Sequence, residues 1–112
     1  MTNKKTTTIN AENTVVTLIN VYEVVPGRQA ELAQLLADAT EKVIQYLPGF
    51  VSVSIHCSLD GTRVVNYAQW VSREDFDRML KNPEAQAQMK QFAAIARSVS
   101  PALYKVSSVH TR

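Results

Sequence analysis

The stretch FVSVSIHCSLDGTRVVNYAQW, residues 50–70, decides the fold. Its first part alternates strictly, with Val51, Val53, Ile55 and Cys57 on one side and Ser52, Ser54, His56 and Ser58 on the other. That is the period of a strand with one dry and one polar face, and it makes Cys57 a buried small hydrophobe. Asp60-Gly61 suits a tight hairpin because both residues tolerate positive φ, so TRVVNYAQWV, residues 62–71, returns as the antiparallel neighbour. A two-residue loop sets position 55 against 66 and position 56 against 65. A one-residue bulge would bring His56 to the face that carries Asn66, and the residues alone leave both open.

Working outward, TVVTLINVYEVV, residues 14–25, is rich in β-branched residues and stops at Pro26-Gly27, which predicts a strand closed by a turn. Residues 28–47 repeat Leu32, Leu35, Leu36, Ala39, Val43 and Leu47 at three- and four-residue steps, one apolar stripe of a helix that Pro48-Gly49 ends. Ser72, with Glu74 and Asp75 behind it, opens a short helix through Leu80. Pro83 starts another, striped by Ala85, Met89, Phe92, Ala93, Ala96 and Val99. Pro101 is expected to end that helix, leaving ALYKVSSVH, residues 102–110, as the fourth strand.

The order β-α-β-β-α-β predicts an α+β, ferredoxin-like unit in which helices cover one face of a four-stranded antiparallel sheet. The first strand has Val15, Thr17, Ile19 and Val21 in one phase and Val16, Leu18, Tyr22 and Val24 in the other, so both of its faces are apolar. An uncovered apolar face implies a partner, and a second copy related by two-fold symmetry is the expectation: a homodimer through the sheet faces.

Composition narrows the function. The 112 residues suit one domain, over 14–110, with 46% hydrophobic and 20% charged residues. Residues 1–13 hold almost nothing apolar and are expected to be a disordered, mobile tail. The net charge is only +2, and Lys4, Lys5 and Arg112 sit in the termini, so no basic stripe remains to grip nucleic acid. No apolar run approaches the roughly 20 residues of a membrane span, and the N-terminus lacks the apolar centre of a signal peptide. A cytoplasmic protein is expected, which a single cysteine fits.

Phosphate-cradling glycine loops, paired cysteines and nucleophile elbows are all missing from the sequence. With His56, His110 and Cys57 as the only imidazoles and thiol, metal-free chemistry is expected. Asn66, Ala68 and Trp70 share one face of their strand, the amide and indole roughly 13 Å apart along it. Either the two line one cavity, offering an amide and an N–H on a flat ring, or Trp70 fills the core and Asn66 bonds backbone at a bulge.

The run HCSLDGTRVVNYAQW, residues 56–70, with PGF at residues 48–50, resembles the antibiotic biosynthesis monooxygenase family of dimeric α+β barrels, and the hairpin is most similar to that of the anthrone-oxidising members. The likeness runs from about residue 14 to 110. It implies a cofactor-free oxygenase that holds a small aromatic phenol, anthrone or quinol between sheet and helices, with molecular oxygen as co-substrate. Asn66 and Trp70 then become catalytic, His56 a lesser member, and Asn20, Tyr67, Phe76 and Met89 substrate contacts. Where anthrone oxidisers carry a tyrosine and an arginine, this chain has Phe76 and Met89, with Lys90 next to the latter. Haem-degrading relatives share the asparagine at Asn20, but Met79 and Met89 stand where they have tryptophan and the iron-binding histidine, so haem cleavage is not expected. The alternatives are a noncatalytic dimeric binding or stress-related module and an isomerase, since a fold does not fix a reaction.

Overall fold

The computed structural model describes residues 5–112. The chain runs β1 (Val16–Glu23), α1 (Gln29–Lys42), a 3-10 turn (Ile44–Tyr46), β2 (Phe50–Cys57), β3 (Arg63–Trp70), α2 (Arg73–Leu80), α3 (Pro83–Ile95) and β4 (Ser98–Tyr104). All strand pairs are antiparallel, in the order β2-β3-β1-β4, which is the expected α+β ferredoxin-like sheet. One face carries the helices. Leu18, Tyr22 and Val24 of the first strand region and Val64, Ala68 and Trp70 of β3 meet Leu32, Leu36, Ala39, Phe76, Met79 and Phe92 there.

The hairpin has the register of the simple reading, Ile55 opposite Asn66 and His56 opposite Val65. Its turn is wider than two residues, however: Ser58 N–H bonds Arg63 C=O at 3.0 Å, leaving four residues between them. Polar side chains hold it. The Asp60 carboxylate accepts from Ser58 Oγ, Thr62 N–H and Thr62 Oγ1, the last at 2.7 Å, and these bonds hold its pKa down at about 2. Cys57 shares the phase of the valines as expected but is exposed, lying at the last position of β2, an edge strand of the sheet.

α1 ends a turn early. Val43 leaves the helical region (φ −130°), the chain tightens into the 3-10 turn, and Ile44 enters the core where Val43 was expected. The tightening delivers Pro48-Gly49 against the start of α2. Gly49 adopts φ +81°, a Cβ on it would strike the Asp75 side chain, and its C=O accepts from Val71 N–H at 2.8 Å. Ser72 caps α2 through Asp75 N–H at 3.1 Å, and Asn82 caps α3 through Ala85 N–H at 3.0 Å.

Pro101 does not end a helix. α3 stops at Ile95, and Pro101 lies inside β4 opposite Asn20. β4 pairs with β1 alone, and an edge strand is where a sheet accommodates proline. Residues 105–110, expected in the strand, have no regular structure.

The outer face carries Thr17, Ile19 and Val21 of β1 beside Val65, Tyr67 and Gln69 of β3. The N-terminal segment reaches it. Thr7 Oγ1 donates to Gln69 Oε1 at 3.0 Å and lies 2.8 Å from Ser52 Oγ, while Gln69 Nε2 donates to Thr8 C=O at 2.9 Å. Of the expected free tail, residues 1–4 lie outside the described residues, and the part at Thr7 and Thr8 is bonded to the sheet. Three polar side chains supply what its apolar content does not.

Candidate active site

Between the helices and the inner face of the sheet lies a cavity of about 200 Å3. Alternation along the strands selects its walls: Leu18, Asn20 and Tyr22 from β1, Asn66, Ala68 and Trp70 from β3. Phe76 and Met79 of α2 and Met89 and Phe92 of α3 close it from above. Leu80, Ala93, Val99 and Pro101 line it too and are exposed, so they form its mouth. A larger groove of about 480 Å3 along α1 and β2 is shallower and gathers none of the unpartnered buried atoms described next.

Asn20 and Asn66 are partners in the β1–β3 ladder, so their amides enter the cavity side by side. Asn20 Nδ2 donates to the Tyr22 hydroxyl at 3.0 Å. Among the described residues, Asn20 Oδ1, Asn66 Oδ1 and Trp70 Nε1 are buried without a protein partner. A buried polar group left so costs about 1–3 kcal/mol, and native structures hold few of them. Three such atoms in one apolar cavity leave one N–H and two carbonyls free to bond a small molecule or water. The fourth such atom among the described residues, Thr17 Oγ1, belongs to the outer face.

Trp70 turns out to serve both of the roles left open by the sequence. It is 1% exposed and wedged edge-on between Phe50 (centroids 5.7 Å apart) and Phe76 (6.3 Å), yet it also forms cavity wall. The same packing fixes where its N–H lies. Asn66 is not at a bulge; the irregularity in the β2–β3 pairing falls between Phe50 and Ser52. Tyr22, 4% exposed and edge-on to Phe92 at 6.3 Å, is the cavity's one titratable residue, and burial pushes its phenol up to about 12. It is therefore a neutral hydrogen-bonding group at ordinary pH.

Of the residues expected in the site, Asn20, Asn66, Trp70, Phe76 and Met89 line the cavity. His56 and Tyr67 do not. The pairings Ile55–Asn66 and Ser54–Tyr67 put both of them on the opposite face, where His56 is exposed, so the expectation for these two is corrected by the period-two geometry of the strands. Lys90 is exposed and outside the lining, so it does not replace a cation in the cavity. Tyr22 was missed, although its two-residue spacing from Asn20 places it on the same face of β1. Among the described residues, no three His, Cys, Asp or Glu side chains gather as a metal site.

The sequence profile described as "Antibiotic biosynthesis monooxygenase" matches residues 15–91. The tetracenomycin-F1 monooxygenase of Streptomyces glaucescens is 42% identical over 90 residues, 80% of this chain and 80% of that protein. Among solved structures, a Streptomyces coelicolor monooxygenase in complex with nanaomycin D superposes with a TM-score of 0.80 at 23% identity, covering 88% of this chain and 92% of the other. SnoaB, a cofactor-independent oxygenase from Streptomyces nogalater, gives 0.75 at 23% identity, covering 85% and 95%. These two likenesses establish the shared fold.

Proposed function

The chain belongs to the antibiotic biosynthesis monooxygenase family and is a monooxygenase, and we propose that it oxidises an electron-rich phenol, anthrone or quinol of polyketide type with O2 and no bound cofactor. The observation that carries this reading is the set of three unpartnered polar atoms on Asn20, Asn66 and Trp70 in an otherwise apolar cavity. A flat aromatic compound with ring oxygens satisfies them while its carbon skeleton meets Leu18, Phe76 and Met89. The names of the relatives point the same way: one acts on tetracenomycin F1, another binds nanaomycin D, and SnoaB is cofactor-independent.

The reaction needs little from the protein beyond orientation and charge stabilisation. An ionised anthrone or hydroquinone supplies the electrons itself: it reduces O2, a carbon–oxygen bond forms, the O–O bond breaks, and one oxygen atom stays as a ring carbonyl while the other leaves as water. Negative charge moves from the substrate oxygen to the oxygen derived from O2, and fixed N–H donors such as Trp70 Nε1 are placed to meet it. The apolar walls keep water from the intermediate. At about 200 Å3 the cavity holds the reacting ring, and further rings of a polycyclic substrate extend through the mouth.

Two copies pack through the outer sheet faces in this proposal, supported by the half-buried Ile19, Val21, Val65 and Tyr67 on a face without helices. A cytoplasmic setting accords with the exposed thiol of Cys57. Oxygen consumption by metal-stripped protein across a panel of anthrones and hydroquinones tests the function: uptake is expected, whereas saturable binding without uptake would leave a binding module instead.

A further inference from the structure

Among the described residues lining the cavity, Tyr22 is the only one with a titratable side chain, although four strands, three helices and the 3-10 turn contribute to its walls. Every other lining group is apolar, an amide, the hydroxyl of Thr40 or the indole of Trp70. No carboxylate, imidazole, amine or guanidinium faces Tyr22 from the helices packed over it. The cavity thus offers neither a base for a phenolic proton nor a cation for the resulting anion. What it offers is neutral hydrogen-bonding groups, and the Tyr22 hydroxyl is a donor whose direction is set: Asn20 Nδ2 donates to its oxygen at 3.0 Å, leaving the phenolic proton for another acceptor.

We propose that Tyr22 is a substrate-binding residue whose hydroxyl donates to the ionised oxygen of the substrate, and that Asn20 is a positioning residue that holds the phenol oxygen as acceptor and so aims its proton into the cavity. This rests on the phenol-oxidising reading and narrows its substrate. A Tyr22 donor stands beside Asn20 Oδ1 and Asn66 Oδ1, two carbonyls that can only accept. The complementary ligand carries an ionised oxygen and, elsewhere on the same ring system, an unionised hydroxyl: the monoanion of a dihydroxy aromatic compound. The substrate enters already ionised, because nothing in the cavity takes its proton. The high pKa of Tyr22 accords with this, since it remains a donor over the whole range in which a phenol ionises.

The probe is 4-nitrocatechol, whose neutral, monoanionic and dianionic forms differ in colour, titrated anaerobically with the full-length wild-type protein and with Tyr22→Phe, Asn20→Leu and the double variant. The wild type is expected to bind the monoanion and to hold it below the pH at which the free probe ionises. A hydrogen bond to a charged group is worth roughly 10- to 100-fold in affinity, so Tyr22→Phe weakens monoanion binding by that factor. It binds the neutral probe about as wild type does. Asn20→Leu loses part of the same factor, and the double variant loses less than the product of the two singles. A wild-type protein that fails to bind the probe or takes it neutral, or a Tyr22→Phe protein that binds the monoanion undiminished, overturns the proposal. A wild-type monoanion signature without oxygen uptake on any phenol removes the oxygenase reading and leaves the anion site standing.

Discussion

Asn20 on β1 and Asn66 on β3 stand opposite each other in the sheet, and the side-chain carbonyl of neither has a hydrogen-bond partner among the described residues. Two adjacent buried amides that satisfy each other would be a structural feature. Two that do not are a cost carried by the folded protein, and in the proposed function a ligand that donates to them recovers it.

That cost separates stability from activity. Replacing Asn66 by Leu exchanges an unsatisfied carbonyl for an apolar group of similar volume. Urea unfolding is expected to show stability unchanged or raised by up to about 1 kcal/mol, while oxygen uptake falls about 100-fold or more. A variant that loses stability and activity in parallel would make Asn66 a folding residue.

For Trp70 the discriminating change is to Phe, which keeps an aromatic ring between Phe50 and Phe76 and removes the indole's second ring and its N–H. A kcat loss of about 100-fold with KM changed only a few-fold is expected if the N–H meets charge that develops during reaction. A rise in KM alone would assign the indole to simple packing against substrate.

Burial of Tyr22 has a consequence at high pH. Its pKa is raised from the ordinary 10 to about 12, so the folded state holds the phenolic proton more tightly than the unfolded chain. This contribution is fully present below pH 10 and is lost as pH rises from about 10 to 12, by on the order of 2–3 kcal/mol. Denaturant midpoints measured across that interval should fall more steeply for the wild type than for Tyr22→Phe. Equal slopes would place the phenol in contact with water.

Gly49→Ala introduces a Cβ where φ is +81° and the Asp75 side chain already stands. Backbone strain costs about 1–3 kcal/mol, and displacement of Asp75 disturbs the Ser72 cap at the start of α2. Urea unfolding is expected to show at least about 2 kcal/mol of lost stability. Gly27→Ala, where a Cβ meets nothing, isolates the strain from the clash and is expected to cost less.

The first three strands and the starts of α2 and α3 were legible because each rests on local chemistry: alternation, a capping serine, a proline at a helix start. The side of the hairpin on which His56 lies stayed open, because a bulge is not written in the alternation. α1 was overextended because its stripe continues through Val43, while the turn that carries Gly49 to α2 depends on a contact with residue 75 that no local pattern contains. Pro101 read as a breaker since an edge strand is a property of the assembled sheet. In the site, Asn66 and Trp70 were found through their shared face and the family resemblance. His56 and Tyr67 came with the same motif; alternation alone sets Tyr67 opposite to Asn66, whereas the face of His56 depended on whether the hairpin held a bulge. Tyr22 went unnoticed among apolar neighbours because its hydrogen bond to Asn20 is invisible until both lie in a cavity.

The outer placement of His56 and Tyr67 has its own test. His56→Ala and Tyr67→Phe are expected to leave kcat/KM for a hydroquinone within about twofold of wild type, since neither lines the cavity. A loss of 100-fold in either would mean that the outer face takes part in the reaction.

The most direct measurement supplies isotopically labelled dioxygen to metal-stripped protein turning over an anthrone or dihydroxy aromatic compound, with the mass of the product as readout. One labelled oxygen atom per product molecule is predicted, lost together with oxygen uptake in the Asn66→Leu and Trp70→Phe proteins. Product whose new oxygen comes from water, or turnover that returns only when a metal or flavin is added, would contradict the account.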